Sequence, residues 1–297
     1  MSLASVLSAV REIMLDELPL PESAEARLQF FEQRFPGLSP EEREDLSKIR
    51  PEGFRTYTGT IFSGERSVLR NLFPITFAEL ARAYAQHFGE PLDTFELAKD
   101  LHRKHPWKGN ATVGLTTKFV EYLTIDRTDL KNLVPWLSDL SELEQLSVFI
   151  SRSPDEACDS REGIHLTTLQ SLSVGELLEI SFAIPSAVVF KRFSWDVLTL
   201  RDYYYANDRA LSSSLPRACT LPAIGARTRT LNVRWEVVPD ALFSHLSLLP
   251  RASEFPLAKL AECYASGTSE QDEMRVFQEF FTQLIRLETI GAVVIKV

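Results

Sequence analysis

The sequence predicts an α+β protein, with an N-terminal all-α helical domain followed by a C-terminal α/β winged-helix-like domain. Up to about residue 152, apolar residues recur every three or four positions, which is the spacing of amphipathic helices. After residue 176, short alternating or apolar runs typical of strands precede three helical segments and a closing strand. We therefore predict a helical domain over residues 1–155, a linker over 156–175 and an α+β domain over 176–297.

Apolar stripes and prolines justify the helices of the N-terminal half. One stripe is formed by Leu3, Val6, Leu7, Val10 and Met14. Another, within residues 62–73, ends where Pro74 cannot continue a helix. The clearest helix opens at Val134-Pro135-Trp136, because a proline in the first turn loses no hydrogen bond, and Ser153-Pro154 ends it. The polar stretch that follows has no sustained period, which indicates an interdomain linker.

Strand signals precede helix signals in the C-terminal half. Alternating or short apolar runs predict strands at residues 177–182, 187–190, 195–200 and 228–238. Pro239-Asp240 then predicts a helix with Asp240 as its N-cap residue. A second helix is expected at residues 257–264 and a third from about Glu270, before the closing strand at 292–297. This order of strand, three helices and strand indicates a winged-helix-like unit.

Composition and charge disfavour several classes of partner. The 297 residues are 44% hydrophobic and 25% charged, and a formal net charge of −9 repels phosphate backbones and anionic lipids. The N-terminus lacks the basic and apolar regions of a signal peptide, and no apolar run reaches the roughly 20 residues of a membrane helix. Cys158, Cys219 and Cys263 are an odd number at wide spacings, which indicates a reducing compartment. We expect a cytoplasmic protein without a membrane or nucleic-acid partner.

Candidate catalytic and metal-binding residues are few. The glycine and histidine motifs of nucleotide-binding proteins, zinc peptidases and serine hydrolases do not occur in the sequence. His102 and His105 lie three residues apart, near Glu96 and Asp100, so a metal enzyme is one hypothesis, although Pro106 follows directly. The cysteines lie in no CxxC motif and beside no histidine, which disfavours a nucleophile. The favoured interpretation is a chain with no catalytic residue, metal ligand or cofactor of its own.

The winged-helix-like unit makes a DNA-binding transcription regulator the alternative function, because that fold places a recognition helix in the major groove. Acidic residues outnumber basic ones on the third predicted helix. They are Glu270, Asp272, Glu273, Glu279 and Glu288, against Arg275 and Arg286. A net negative recognition helix disfavours DNA.

Basic residues cluster instead around the strand predicted at residues 228–238. They are Lys191, Arg192, Arg201, Arg209, Arg217, Arg227, Arg229 and Arg234. One interpretation is a solvated sheet face. The other is a surface where an acidic or mixed peptide adds a strand to an exposed sheet edge, while the arginines fix its register. The candidate peptide-binding residues are Arg227, Arg229, Leu231, Val233, Arg234 and Trp235.

Several stretches of the chain resemble the HvfC/BufC family. In the helical half, residues 57–61 (Tyr-Thr-Gly-Thr-Ile) and the Phe73-Pro74 pair look like the family's Tyr-Arg-Asn-Asn-Val segment and its Phe-Pro ending. Residues 135–144 are similar to the closing helix with its Asp-Leu-Ala-x-Leu-Glu pattern. In the second half, Ile184-Pro185-Ser186 also fits. Thr-Gly-Thr at positions 58–60 departs from the family's Arg-Asn-Asn.

The resemblance implies a function and a partner. Members of this family act with multinuclear non-haem iron enzymes, which oxidise cysteine-containing ribosomal peptides. The chain also resembles the longer partner subunit of 3-thiaglutamate biosynthesis. The resemblance implies an accessory subunit that binds a precursor peptide and forms a heterodimer with the iron oxygenase. It also implies that the iron, and the reaction at the peptide cysteine, belong to the enzyme.

Overall fold

The computed structural model describes residues 3–16, 18–105, 112–153, 174–228, 230–265 and 270–296. The chain divides into two compact units, Met1–Pro74 with Ala81–Asp126 and Ile75–Leu80 with Arg127–Val297. The division therefore lies near residue 126. The helix at residues 137–152, which the sequence placed in the helical domain, belongs to the second unit. Most of the predicted linker lies outside the described residues.

The N-terminal part of the chain is helical. Its helices are α1 (Leu3–Asp16), α2 (Ala24–Arg34), α3 (Pro40–Lys48), α4 (Pro51–Leu72), α5 (Pro74–Phe88), α6 (Thr94–Lys104) and α7 (Thr112–Glu121), followed by the π-helical turn Tyr122–Asp126. Local signals set several ends: Ser39 and Glu42 form a capping box on α3, and the Asp93 carboxylate caps α6. The predicted break at Pro74 is confirmed, since α4 ends at Leu72 and α5 begins at Pro74.

The first unit buries an aromatic-rich core among helices α1 to α4. Its buried members are Ala9, Ile13, Phe31, Phe35, Leu38, Leu46 and Phe54. Leu7, which the sequence placed on the apolar stripe of α1, is instead 57% exposed. The buried Arg27 side chain donates from Nε to the Ser47 carbonyl at 2.8 Å, which ties α2 to the end of α3.

The second unit contains helices and two small antiparallel sheets, so the predicted α+β class is confirmed. Its further elements are α8 (Thr128–Leu133), α9 (Leu137–Arg152), α10 (Val174–Glu179), β1 (Ser181–Ala183), β2 (Val189–Trp195), α11 (Val197–Ala206), β3 (Ala218–Arg227), β4 (Val233–Val237), α12 (Asp240–Leu248), β5 (Glu254–Pro256), α13 (Leu257–Ala265), α14 (Glu270–Thr289) and β6 (Val294–Lys296). The strand orders are β5-β1-β6 and β2-β3-β4.

Helix α9 packs on one face of the β2-β3-β4 sheet. The Trp235 indole Nε1 donates to the Ser147 hydroxyl at 3.0 Å. Gly225 permits this approach, because a Cβ at that position would lie 2.8 Å from both the Ile150 side chain and the Trp235 ring. The opposite face contributes Ile224 and Ala226 to an apolar core shared with α12, α13 and α14. The sheet is therefore covered on both faces.

Two strand predictions are wrong in part. Residues 195–200 contain only the end of β2, because the Asp196 carboxylate accepts the Thr199 N–H at 3.1 Å and starts α11. Thr230 and Leu231 lie in a turn, with Leu231 at φ 63°, so the predicted strand 228–238 begins only at Val233.

Two smaller boundaries also differ from the sequence prediction. Residues 177–179 of the first predicted strand belong to α10, and β1 begins at Ser181. Asp240 is the first residue of α12 rather than its N-cap residue, a position that Pro239 occupies without a side-chain hydrogen bond. The predicted position of the helix start is nevertheless correct, because α12 begins at Asp240. The fixed φ of Pro239 is compatible with the residue that precedes a helix.

Candidate functional site

Strand β4 lies at the edge of its sheet. It pairs with β3 on one side, and the Thr228 N–H donates to the Asn232 carbonyl at 2.8 Å where the pair begins. Hydrogen-bonding direction alternates along an antiparallel strand, so the backbone groups of Val233, Trp235 and Val237 point away from β3. Such a row of outward N–H and C=O groups is a template for pairing with another strand.

The outward groups of β4 are occupied at one end only. The Arg201 Nη2 of α11 donates to the Val233 carbonyl at 3.1 Å. Among the described residues, no hydrogen bond joins the outward backbone groups of Trp235 or Val237 to the rest of the chain. The Val237 side chain is 43% exposed. The edge is therefore capped at its start and open over its second half.

The structure brings five of the six predicted peptide-binding residues into one hairpin. Arg227 ends β3, Leu231 lies in the turn and is 64% exposed, and Val233, Arg234 and Trp235 lie on β4, whereas Arg229 is outside the described residues. Their side chains do not share one surface.

Two of these side chains are used inside the second unit. Trp235 is buried against α9 and packs edge-to-face on Phe193 at 5.7 Å between ring centroids. The Arg227 Nη1 donates to the Ser151 carbonyl at 3.0 Å. Arg234, by contrast, is exposed, and none of the described acidic residues forms an ion pair with it. Arg234 is thus the predicted arginine best placed to meet a peptide.

The basic cluster predicted from the sequence is partly neutralised within the second unit. Lys191 pairs with Glu142, Arg192 pairs with Asp240, and Arg201 pairs with its neighbour Asp202 at 3.0 Å. Of the other described members, Arg227 donates to the Ser151 carbonyl, and the arginines at positions 209, 217 and 234 are exposed. The surface is less basic than the sequence suggested, and its freely exposed charge next to β4 is that of Arg234.

The other edge of the same sheet is less suited to strand addition. On β2, the Asp139 carboxylate of α9 accepts the backbone N–H groups of Ser194 and Trp195 at 2.5 and 2.8 Å. The register also shifts between Phe193 and Trp195. A bulge and a capping carboxylate both interrupt a strand edge, so β4 is the more regular template.

Glu144 of α9 is a buried carboxylate with a capping role. Its two oxygens accept the N–H groups of Ile75 and Thr76, in the first turn of α5, at 2.9 and 3.0 Å. Burial raises its pKa to about 7, although these hydrogen bonds oppose the shift. Phe73, the N-cap residue of α5, makes no side-chain capping bond, and Glu144 satisfies the free N–H donors in its place.

The two histidines of the metal-enzyme hypothesis face different carboxylates. His102 Nδ1 lies 3.4 Å from Glu65 Oε1, and His105 Nε2 lies 2.6 Å from Asp126 Oδ2. Over the residues that the structure describes, no group of three or more His, Cys, Asp or Glu side chains is arranged to hold a metal ion. His102 and His105 therefore do not converge on one site.

Sequence reasoning missed the side chains that cap the two sheet edges and the start of α5. Arg201 was noted only as one of several basic residues, and its bond to the Val233 carbonyl joins positions far apart in the chain. Asp139 and Glu144 looked like ordinary acidic positions of an amphipathic helix. One sequence signal for the start of β4 was available: Asn232, a residue type that favours turns, lies immediately before the strand.

A scan against models of protein families finds no match to this chain, and no curated protein matches it significantly. None of the described helices combines the length and apolar character that crossing a bilayer requires. The structural observation on which a function can be proposed is the geometry of the β4 edge.

Proposed function

We propose that this chain is a non-catalytic subunit that binds a precursor peptide by adding it as a strand to the edge of β4. The observation that carries the proposal is the open row of backbone groups at Trp235 and Val237. Main-chain hydrogen bonds would supply affinity, and exposed Arg234 would favour an acidic or mixed sequence.

The partner and the chemistry are proposed from the family resemblance. In this proposal, the chain forms a heterodimer with a multinuclear non-haem iron oxygenase, which supplies the oxidation of a peptide cysteine. The chain holds the peptide and contributes no iron ligand. The proposal places the complex in the cytoplasm, where the free Cys219 thiol stays reduced.

The winged-helix-like arrangement of the C-terminal part is included in the proposal. Its support is the element order α12, β5, α13, α14 and β6, although β5 and β6 pair on either side of β1. Use of α14 as a DNA-reading helix is disfavoured, because it carries more acids than bases. Its Arg286 also lies 3.4 Å from the Glu236 carboxylate.

The experiment that tests this function is a pull-down of the tagged chain from its native host, with mass spectrometry and iron analysis of the retained fraction. We expect an iron-containing enzyme together with a cysteine-bearing peptide, both missing when the tag alone is used.

Two outcomes would contradict the proposal. Recovery of the chain alone, as a monomer, would show that it has no stable partner enzyme. Co-purified DNA, bound with an affinity that falls steeply with salt, would indicate the transcription regulator instead.

A further inference from the structure

The Arg201 side chain lies against the β4 edge, where peptide binding is proposed, and bonds one of its outward backbone groups. It extends from α11 to the first outward carbonyl of β4, with 3.1 Å between its Nη2 and the Val233 oxygen. Its side chain is only 15% exposed, and its guanidinium lies 5.7 Å from the centre of the Tyr205 ring. A strand added along the whole of β4 needs the Val233 carbonyl that Arg201 already holds.

The other bonds of Arg201 leave it able to accept a further partner. Its Nη1 pairs with Asp202, whose carboxylate is largely exposed to solvent, so this ion pair is worth little. A guanidinium carries five N–H donors in a planar fork, and the bonds to Asp202 and Val233 leave several for a second carboxylate.

Loss of the Val233 bond has a different cost for different peptides. A partly buried guanidinium that gives up an acceptor without a replacement loses a charge-assisted hydrogen bond. A peptide with an acidic side chain beside Val233 replaces that acceptor, while its own backbone N–H takes the freed carbonyl. A neutral peptide takes the carbonyl and leaves the guanidinium donor unpaired.

We propose that Arg201 is a displaceable cap on the β4 edge, and that it selects peptides with an acidic side chain next to Val233. This inference rests on the proposed function, because it concerns the same edge. It assigns the cap to Arg201 and a supporting charge to exposed Arg234, both beside the added strand.

The test uses two fluorescein-labelled nonapeptides in which Thr and Val alternate, one with a central Asp and the other with a central Asn. Binding is followed by fluorescence anisotropy for the wild type, Arg201→Met and Arg201→Lys. Arg201→Met keeps an apolar stem for packing but has no donor, and Arg201→Lys keeps the charge if the Met variant does not fold. Arg70→Gln, an exposed arginine of α4, is the matched control for the loss of one positive charge.

We expect the wild type and Arg70→Gln to bind the Asp peptide about tenfold more tightly than the Asn peptide, the value of one charge-assisted hydrogen bond. Arg201→Met should lose this preference and bind the Asn peptide more tightly than the wild type does, because the Val233 carbonyl is free. Arg201→Lys should retain part of the preference.

The alternative results are distinguishable. If Arg201→Met binds both peptides with the preference of the wild type, the cap is overturned while strand addition stands. If neither peptide binds the wild type or the Arg201→Met variant, strand addition at β4 fails, and the cap fails with it.

Discussion

At the residue scale, Glu144 shows how one side chain can complete a distant helix. Helix α5 begins after Phe73-Pro74, a pair that supplies no capping side chain, and its first-turn N–H groups would be buried without partners. The Glu144 carboxylate accepts two of them, from Ile75 and Thr76, which lie 69 and 68 residues away in the sequence. The positive charge of Arg201 lowers the pKa of this carboxyl, but burial raises it by more.

The raised pKa of Glu144 predicts a specific pH dependence of stability. The folded state favours the neutral acid, so this contribution is fully present below pH 4.5, the ordinary pKa, and is lost as pH rises through about 7. The loss is about 3 kcal/mol, an order of magnitude set by 1.36 kcal/mol for each unit of pKa shift. Glu144→Gln removes the titration and also one acceptor, so it should destabilise most at low pH, with a cost that shrinks towards pH 8.

Urea unfolding at pH 5 and pH 8 measures this difference directly, with Glu41→Gln as an exposed control on α3. Parallel pH profiles for the wild type and Glu144→Gln would show that Glu144 titrates normally in the folded protein.

At the scale of elements, the β3–β4 hairpin and helix α9 determine which edge of the sheet is open. Asp139 accepts a backbone N–H near the end of β2, whereas Arg201 bonds only the carbonyl of the first residue of β4. The Val233 N–H points away from β3, so a proline at this first strand position removes an outward donor and leaves the β3 ladder intact.

Val233→Pro should therefore weaken binding of the Asp nonapeptide by about tenfold, as expected for one lost hydrogen bond, without unfolding the protein. Val233→Thr is the matched control, because it keeps the N–H and a β-branched side chain. Anisotropy titration measures affinity and circular dichroism verifies the fold. Equal affinity for the proline variant and the wild type would rule out pairing at this end of β4.

Sequence reasoning located elements where the signal was local. The Pro74 break and the start of the third helix at Glu270 were found because proline and helical spacing act within one or two turns. The strand predicted at residues 195–200 was wrong because its alternation of apolar and polar residues also fits a helix capped by Asp196. The turn before β4 was missed because Leu231, not glycine, adopts the positive φ.

At the scale of the whole molecule, the sequence predicted the α+β class but not the composition of the units. Helix α9 has the apolar spacing of a helical-bundle element, and its period carries no information about its neighbours. Its ties to the sheet through Ser147 and Asp139 are long-range contacts. The described candidate peptide-binding residues fall in one hairpin, β3–β4, whereas the burial of Trp235 and the bond from Arg227 to the Ser151 carbonyl could not be predicted from composition.

Amide hydrogen exchange followed by NMR is the most direct test of whether a peptide joins the outer edge of β4. On addition of the Asp nonapeptide, outward amides at Val233, Trp235 and Val237 should become protected from exchange. Amides at Arg234 and Glu236 already face β3 and serve as internal controls, with little change expected. Peptide binding with unchanged exchange along β4, or with protection elsewhere in the chain instead, would show that the peptide does not pair with β4.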